Sequence, residues 1–152
     1  MKINIVAVGK IKEQFFTDAI KEYEKRLSKF CDLKIIEVQE ASNYKNLDEK
    51  SKLEGELLLG KSKGFLIALD GKSKQLSSEE IASVISEKML NGISEISFII
   101  GGSNGLSEEV LNKANLKLSF GKITFPHQLF RVVLTEQIYR AFTIINGMPY
   151  HK

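Results

Sequence analysis

Ile96-Ser97-Phe98-Ile99-Ile100-Gly101-Gly102-Ser103-Asn104-Gly105-Leu106-Ser107-Glu108-Glu109 decides the fold class of this 152-residue chain. The run Ile96–Ile100 is apolar enough for a buried strand, and the glycines that follow it make a tight turn. Ser107 is a helix N-cap, and the two glutamates behind it sit where a helix dipole favours negative charge. Strand, turn and capped helix in direct succession are the repeating unit of an α/β fold.

The same alternation extends both ways from this unit. Toward the N-terminus, Ser77–Leu90 is helical, with Ile81, Val84, Ile85 and Met89 directed inward and Ser78 as its cap. Phe65–Leu69 is a strand. Asn46–Ser62 is a charged helix with Leu53, Leu57 and Leu58 on one face, and Leu33–Val38 is a strand. Glu13–Phe30 carries Phe16, Ile20, Tyr23, Leu27 and Phe30 at helical spacing, and Lys2–Val8 is a short Ile/Val-rich strand. Toward the C-terminus, Ser107–Ala114 is a short helix and Leu116–Phe120 a fifth strand. A last helix, Pro126–Asn146, opens on proline and is stopped by Gly147 and Pro149. The expectation is a single α/β domain over residues 1–152, with a mostly parallel sheet covered by helices on both faces.

In such sheets the ligand crevice lies at the carboxyl ends of the strands. Here those ends are Gly9-Lys10-Ile11-Lys12, Asp70-Gly71-Lys72-Ser73-Lys74 and Gly101-Gly102-Ser103. Two of the three carry paired lysines, which either gather at a ligand or are simply solvated. The glycine turn likewise has two readings, a bare positive-φ turn or backbone left free to touch a ligand.

Composition excludes several classes. The chain has 22 basic and 19 acidic side chains, a net charge of +3, which is a mild bias. One cysteine, Cys31, excludes an internal disulfide and reads as a small buried hydrophobe. Two histidines and one cysteine offer no metal-ligand cluster, so no metal is expected. No apolar run reaches membrane-spanning length and Ile3–Val8 is too short for a secretory core, so the expected setting is the cytoplasm. Gly55-Glu56-Leu57-Leu58-Leu59-Gly60-Lys61-Ser62 matches a phosphate-binding loop letter for letter. That loop must follow a strand and open a helix, whereas this match lies inside a helical pattern and precedes a strand, so ATP or GTP hydrolysis is rejected.

The last helix is apolar beyond one stripe. Phe130, Leu134, Ile138, Ala141 and Ile145 form one face, and Leu129, Val132, Val133 and Phe142 widen it. It is either a central core helix or one buried on two sides by a twofold dimer, and the second fits an element near the terminus. His127 and Arg131 share a face at its start. His127 is either a cap or a site group, and Arg140 either holds a ligand or pairs with Glu136 four residues earlier. Tyr150-His151-Lys152 ends the chain with a ring, a titratable base and an amine.

At these residues the chain resembles the SPOUT-class RNA methyltransferases, specifically the small enzymes that methylate N3 of a pseudouridine in large-subunit ribosomal RNA. The resemblance spans the chain. It is strongest at Ile100–Leu106, Leu118-Ser119-Phe120, Thr124-Phe125-Pro126-His127-Gln128, Glu136–Phe142 and Pro149-Tyr150-His151-Lys152. It implies a C-terminal trefoil knot, a topology outside the usual rule against threading. It also implies a homodimer and S-adenosyl-L-methionine bound in the knot. Carried over by position, cofactor contacts fall on Ile67 and Leu69, on Gly101 and Gly102, and on Phe120-Gly121-Lys122-Ile123-Thr124-Phe125. Gly121 stands where close relatives often carry serine.

The implied chemistry needs a group to take the N3 proton and a positive field around the base. His127 and His151 are the candidate bases, Arg131, Arg140 and Lys152 the candidate anion holders, and Tyr150 a stacking ring. The tail of one subunit is implied to reach the site of the other. A net charge of +3 suits recognition of an assembled ribosome better than a grip on bare RNA. The alternative is a non-catalytic ribosome-binding factor using the same surface, which requires ribosome association without cofactor affinity.

Overall fold

The computed structural model describes residues 1–152. Ten elements alternate along the chain: β1 (Lys2–Val8), α1 (Gln14–Leu27), β2 (Asp32–Val38), α2 (Leu47–Lys61), β3 (Phe65–Gln75), α3 (Ser78–Leu90), β4 (Glu95–Ile100), α4 (Glu108–Lys113), β5 (Leu116–Ser119) and α5 (His127–Ile145). The strands form one sheet in the order β2-β1-β4-β3-β5, and every pairing is parallel. The α/β reading therefore holds, with the sheet wholly parallel.

The period-two alternation of the strands divides the core into two layers. Ile3, Ile5 and Ala7 of β1 and Ile96, Phe98 and Ile100 of β4 join the larger cluster, with Ile85 of α3, Leu27 of α1 and Leu134, Ile138 and Phe142 of α5. Val6, Val8 and Ile99 face the other way and meet Leu58 of α2 and Val110 of α4. Asn4 and Ser97 lie on that second face and satisfy each other: Asn4 Nδ2 donates to Ser97 Oγ at 3.3 Å, and Ser97 Oγ donates to the Lys63 carbonyl at 2.7 Å.

Caps set the helix starts. Asn46 accepts from the Asp48 and Glu49 amides, and Ser107 from the Val110 amide. The cap of α3 is Ser77, not Ser78: its hydroxyl accepts the Glu80 amide while the Glu80 carboxylate accepts the Ser77 amide, a reciprocal box that a cap at Ser78 would lack. Met89 is 40% exposed rather than inward, and Leu57 is 39% exposed, because α2 turns Glu54, Gly55 and Leu58 toward the sheet instead. The phosphate-loop look-alike lies in α2 and at its C-cap. Gly55 there is a packing residue, since a Cβ would collide with Ser107 Oγ at the start of α4.

One further expectation changes. The segment Asp70–Lys74 is not a free loop; β3 continues through it to Gln75, with a register break between Leu69 and Lys74 against β5. Most of the apolar character of α5 is consumed inside the chain, where the helix packs against α1 and α3. Leu129, Val132 and Val133 stay half-buried.

Candidate functional site

The carboxyl ends of β4 and β5, with the middle of β3 at Leu69–Gly71, open into a cleft of about 410 Å³, closed by the start of α5. Its floor is the turn after β4. A Cβ on Gly101 would lie 2.6 Å from the Gly105 carbonyl oxygen, so only glycine allows the chain to fold back there. The Gly105 amide donates to the Gly102 carbonyl at 3.0 Å and closes the turn. One wall is aromatic: Phe120 meets Phe130 edge-on with centroids 5.1 Å apart, and Phe125 lies 5.7 Å from the same ring. Ser119 Oγ accepts the Gly121 amide at 3.1 Å and braces the loop that follows β5.

Nine of the ten positions expected to touch a cofactor line this cleft together: Leu69, Gly101, Gly102, Phe120, Gly121, Lys122, Ile123, Thr124 and Phe125. Ile67 does not. It is 1% exposed in the sheet interior, because two residues of strand rise, about 7 Å, set it below the edge that Leu69 reaches. Sequence reasoning placed Ser103 at the crevice but passed over Ser119 and Phe130 as site residues, and both also line the cleft. Only the spacing of Phe130 from Phe125 and Phe120 hinted at a shared aromatic wall.

The five expected catalytic residues divide among three places. His127, the first residue of α5, is exposed and lines the cleft. Arg131, one turn later, is 1% exposed and faces away from solvent. Its guanidinium donates to Glu37 Oε2 at 2.8 Å and to the carbonyls of Val8 at 2.7 Å and Gly9 at 2.9 Å. Burial pushes its pKa down, and the Glu37 carboxylate counters that. The structure therefore corrects the reading of Arg131 as an anion holder: it ties α5 to the ends of β1 and β2. Gln128 adds to that tie by accepting the Lys12 amide at 2.8 Å.

Arg140, Tyr150 and His151 form the third group. Arg140 pairs with Glu136, whose Oε1 also accepts the Tyr150 hydroxyl at 3.0 Å. The Arg140 guanidinium stacks 4.8 Å from the Tyr150 ring, and the Tyr139 ring lies at the same centroid distance. Arg140 Nη1 is 3.1 Å from His151 Nδ1, and His151 Nε2 is 2.8 Å from Glu79 Oε1. A guanidinium has only donors, so in this geometry Nδ1 is the acceptor and Nε2 is the nitrogen that faces Glu79. Both ring nitrogens are thus engaged. The His151 contact holds the Glu79 carboxyl down at about 2. Desolvation, and then Glu136, push the Tyr150 hydroxyl up to about 12. The tail is docked on α3 and α5, and neither Tyr150 nor His151 lines the cleft of its own chain.

No group of three or more His, Cys, Asp or Glu side chains is arranged to hold a metal ion, and no helix is long and apolar enough to cross a membrane.

A parallel sheet with a glycine-floored cleft at its carboxyl edge, closed by a C-terminal helix, belongs to a known class of enzyme: the chain is a member of the SPOUT methyltransferase family. The family model described as "Predicted SPOUT methyltransferase" matches residues 1–151. Among its relatives, the protein named "Ribosomal RNA large subunit methyltransferase H" of Clostridium botulinum (strain Langeland) is 55% identical, with all of both chains covered. The protein of the same name from Carboxydothermus hydrogenoformans is 56% identical, again over the full length of both. The structure of a probable methylase family protein from Haemophilus influenzae Rd KW20 shares the fold, with a TM-score of 0.56 at 14% identity, covering 99% of this chain and 70% of that one.

Proposed function

We propose that this protein transfers a methyl group from S-adenosyl-L-methionine to N3 of a pseudouridine in large-subunit ribosomal RNA, acting in the cytoplasm as a homodimer on the assembled ribosome. The observation that carries this reading is the cleft itself. Nine positions chosen on family resemblance converge on one space at the carboxyl edge of the sheet.

The residues present fit the cofactor. The volume lies within the range of small-molecule sites, and apolar walls with exposed main chain suit an adenine ring and a ribose. Gly101 and Gly102 would hold the adenosyl group against backbone, with Leu69, Ile100 and Phe120 around the base. When bound, S-adenosyl-L-methionine supplies a methyl group already activated on a sulfonium, so the protein's task is alignment.

His127, at the rim of the cleft, is the within-chain group placed to take the N3 proton as the ring nitrogen is methylated. Lys122, exposed on the same rim, contributes positive field toward the ring oxygens. In a homodimer, the half-buried Leu129, Val132 and Val133 would be covered by the second subunit, and Tyr150, His151 and Arg140 would serve the partner's cleft. A trefoil knot through residues 100–126 is part of the same reading. It is supported by the family match over residues 1–151.

The test is methyl transfer to ribosomes purified from cells lacking this modification, using cofactor labelled in its methyl group. Label recovered as N3-methylpseudouridine in large-subunit RNA is the expected result. Ribosome association with neither cofactor binding nor transfer would overturn it in favour of a non-catalytic ribosome factor.

A further inference from the structure

Glu54, in the middle of α2, is 1% exposed and takes part in none of the chain's ion pairs. Its Oε1 accepts the Ala41 amide at 3.1 Å, while its Oε2 is buried with no partner at all. That unpartnered oxygen is directed at the glycine turn: a Cβ added to Gly102 would lie 2.8 Å from it and 3.3 Å from Val8 Cγ1. Gly102 also lines the cleft, and Glu54 does not. A buried carboxylate oxygen therefore stands directly behind one main-chain layer of the candidate cofactor site.

A carboxylate held among apolar groups without a cation is costly, and the cost falls when a positive charge comes within its field. The cofactor of the proposed reaction carries a sulfonium. Once the methyl group has gone to nitrogen, the electron pair of the broken carbon–sulfur bond rests on sulfur and that charge is lost. We infer that Glu54 is a charge-selecting positioning residue, whose carboxylate favours a cationic ligand in the cleft over the neutral thioether left after transfer and so assists product exchange. This rests on the reading of the cleft as an S-adenosyl-L-methionine site. It assigns a purpose to the orphaned oxygen and to the absence of a side chain at position 102, which leaves little more than one backbone layer between the carboxylate and the ligand.

The experiment is calorimetric binding, without turnover, of S-adenosyl-L-methionine, its ammonium analogue sinefungin and S-adenosyl-L-homocysteine. The proteins are the wild-type chain and Glu54→Gln, which keeps an acceptor for Ala41. At an effective dielectric constant of about 20, a unit charge is worth roughly tenfold in affinity even at about 12 Å, so loss of the Glu54 charge should lower the cation-over-neutral affinity ratio roughly tenfold. Affinity for the neutral thioether should move less than about twofold by the same argument. If Glu54→Gln fails to fold, as judged by its thermal transition, Glu54→Leu removes the charge at similar volume and is read the same way. Retention of the wild-type ratio in a folded variant that still binds overturns the inference alone. A wild-type protein that binds none of the three ligands overturns the reading of the cleft and the inference with it.

Discussion

Arg131 Nη1 and Glu37 Oε2 meet at 2.8 Å, joining the N-terminal turns of α5 to the end of β2. The same guanidinium caps the Val8 and Gly9 carbonyls, so one side chain from the last helix holds the carboxyl edge of the first two strands. The His127 cleft lies next to this joint, and its geometry depends on where the joint places α5.

Arg131→Ala is expected to cost about 3 kcal/mol, because it leaves the Val8 and Gly9 carbonyls without their donor and a void where a fully buried side chain stood, while the exposed Glu37 keeps the Ile11 amide. Urea unfolding measures it. Arg131→Lys should lose a large part of the same stability, since an ammonium cannot span three acceptors in a fixed plane. An Arg131→Ala protein of wild-type stability that no longer acts on RNA would restore the ligand role given up here.

Gly60 and Gly101 should respond to alanine in opposite ways. A Cβ on Gly60 meets nothing within 4 Å, and the residue lies near the end of α2, so Gly60→Ala should stabilise by up to about 1 kcal/mol. Gly101→Ala forces a carbon against the Gly105 carbonyl and should weaken S-adenosyl-L-methionine binding at least about tenfold, as an overpacked turn moves the cleft floor. Thermal melting reads the first, and calorimetry the second.

Tyr150 gives a pH dependence of known sign. Its folded value, about 12, lies above the ordinary 10.0, so the stability it contributes is complete below pH 10 and declines as pH rises toward 12. The tyrosinate absorbance difference between wild type and Tyr150→Phe should therefore titrate near 12. A difference that titrates at 10 would mean that the tail is not docked on Glu136.

Burial pushes the Cys31 thiol up to about 11, so at pH 8 it is protonated as well as enclosed. Alkylation by iodoacetamide in native buffer should run about a hundredfold slower than in denaturant, paced by local opening of the chain. Labelling at the rate of a free thiol would contradict its place in the core.

Much of this protein is legible in short stretches of its sequence. The apolar runs of β1 and β4, the cap at Ser107 and the glycine turn at 101–105 are local signals, and each element appears where those signals put it. The capping box at Ser77 is equally local, with Glu80 three residues on, and it sets the cap of α3 one residue before the expected Ser78. Family resemblance then located the cleft loop at 120–125, which periodicity alone leaves unassigned.

The sequence by itself determined the α/β class, the order of elements and the glycine-floored crevice, because propensity, capping and periodicity act within a turn or two of the chain. Only the tertiary structure decided which polar side chains face the cleft. His127 and Arg131 are equivalent by helical spacing, yet one lines the cleft and the other is sealed against Val8, Gly9 and Glu37. Glu54 looks like any charged residue of a polar helix until Gly102 and Ala41 close around it. Glu37 reaches Arg131 across 94 positions and Glu79 reaches His151 across 72. Those meetings depend on the strand order β2-β1-β4-β3-β5, which sets who neighbours whom and is written in no local pattern.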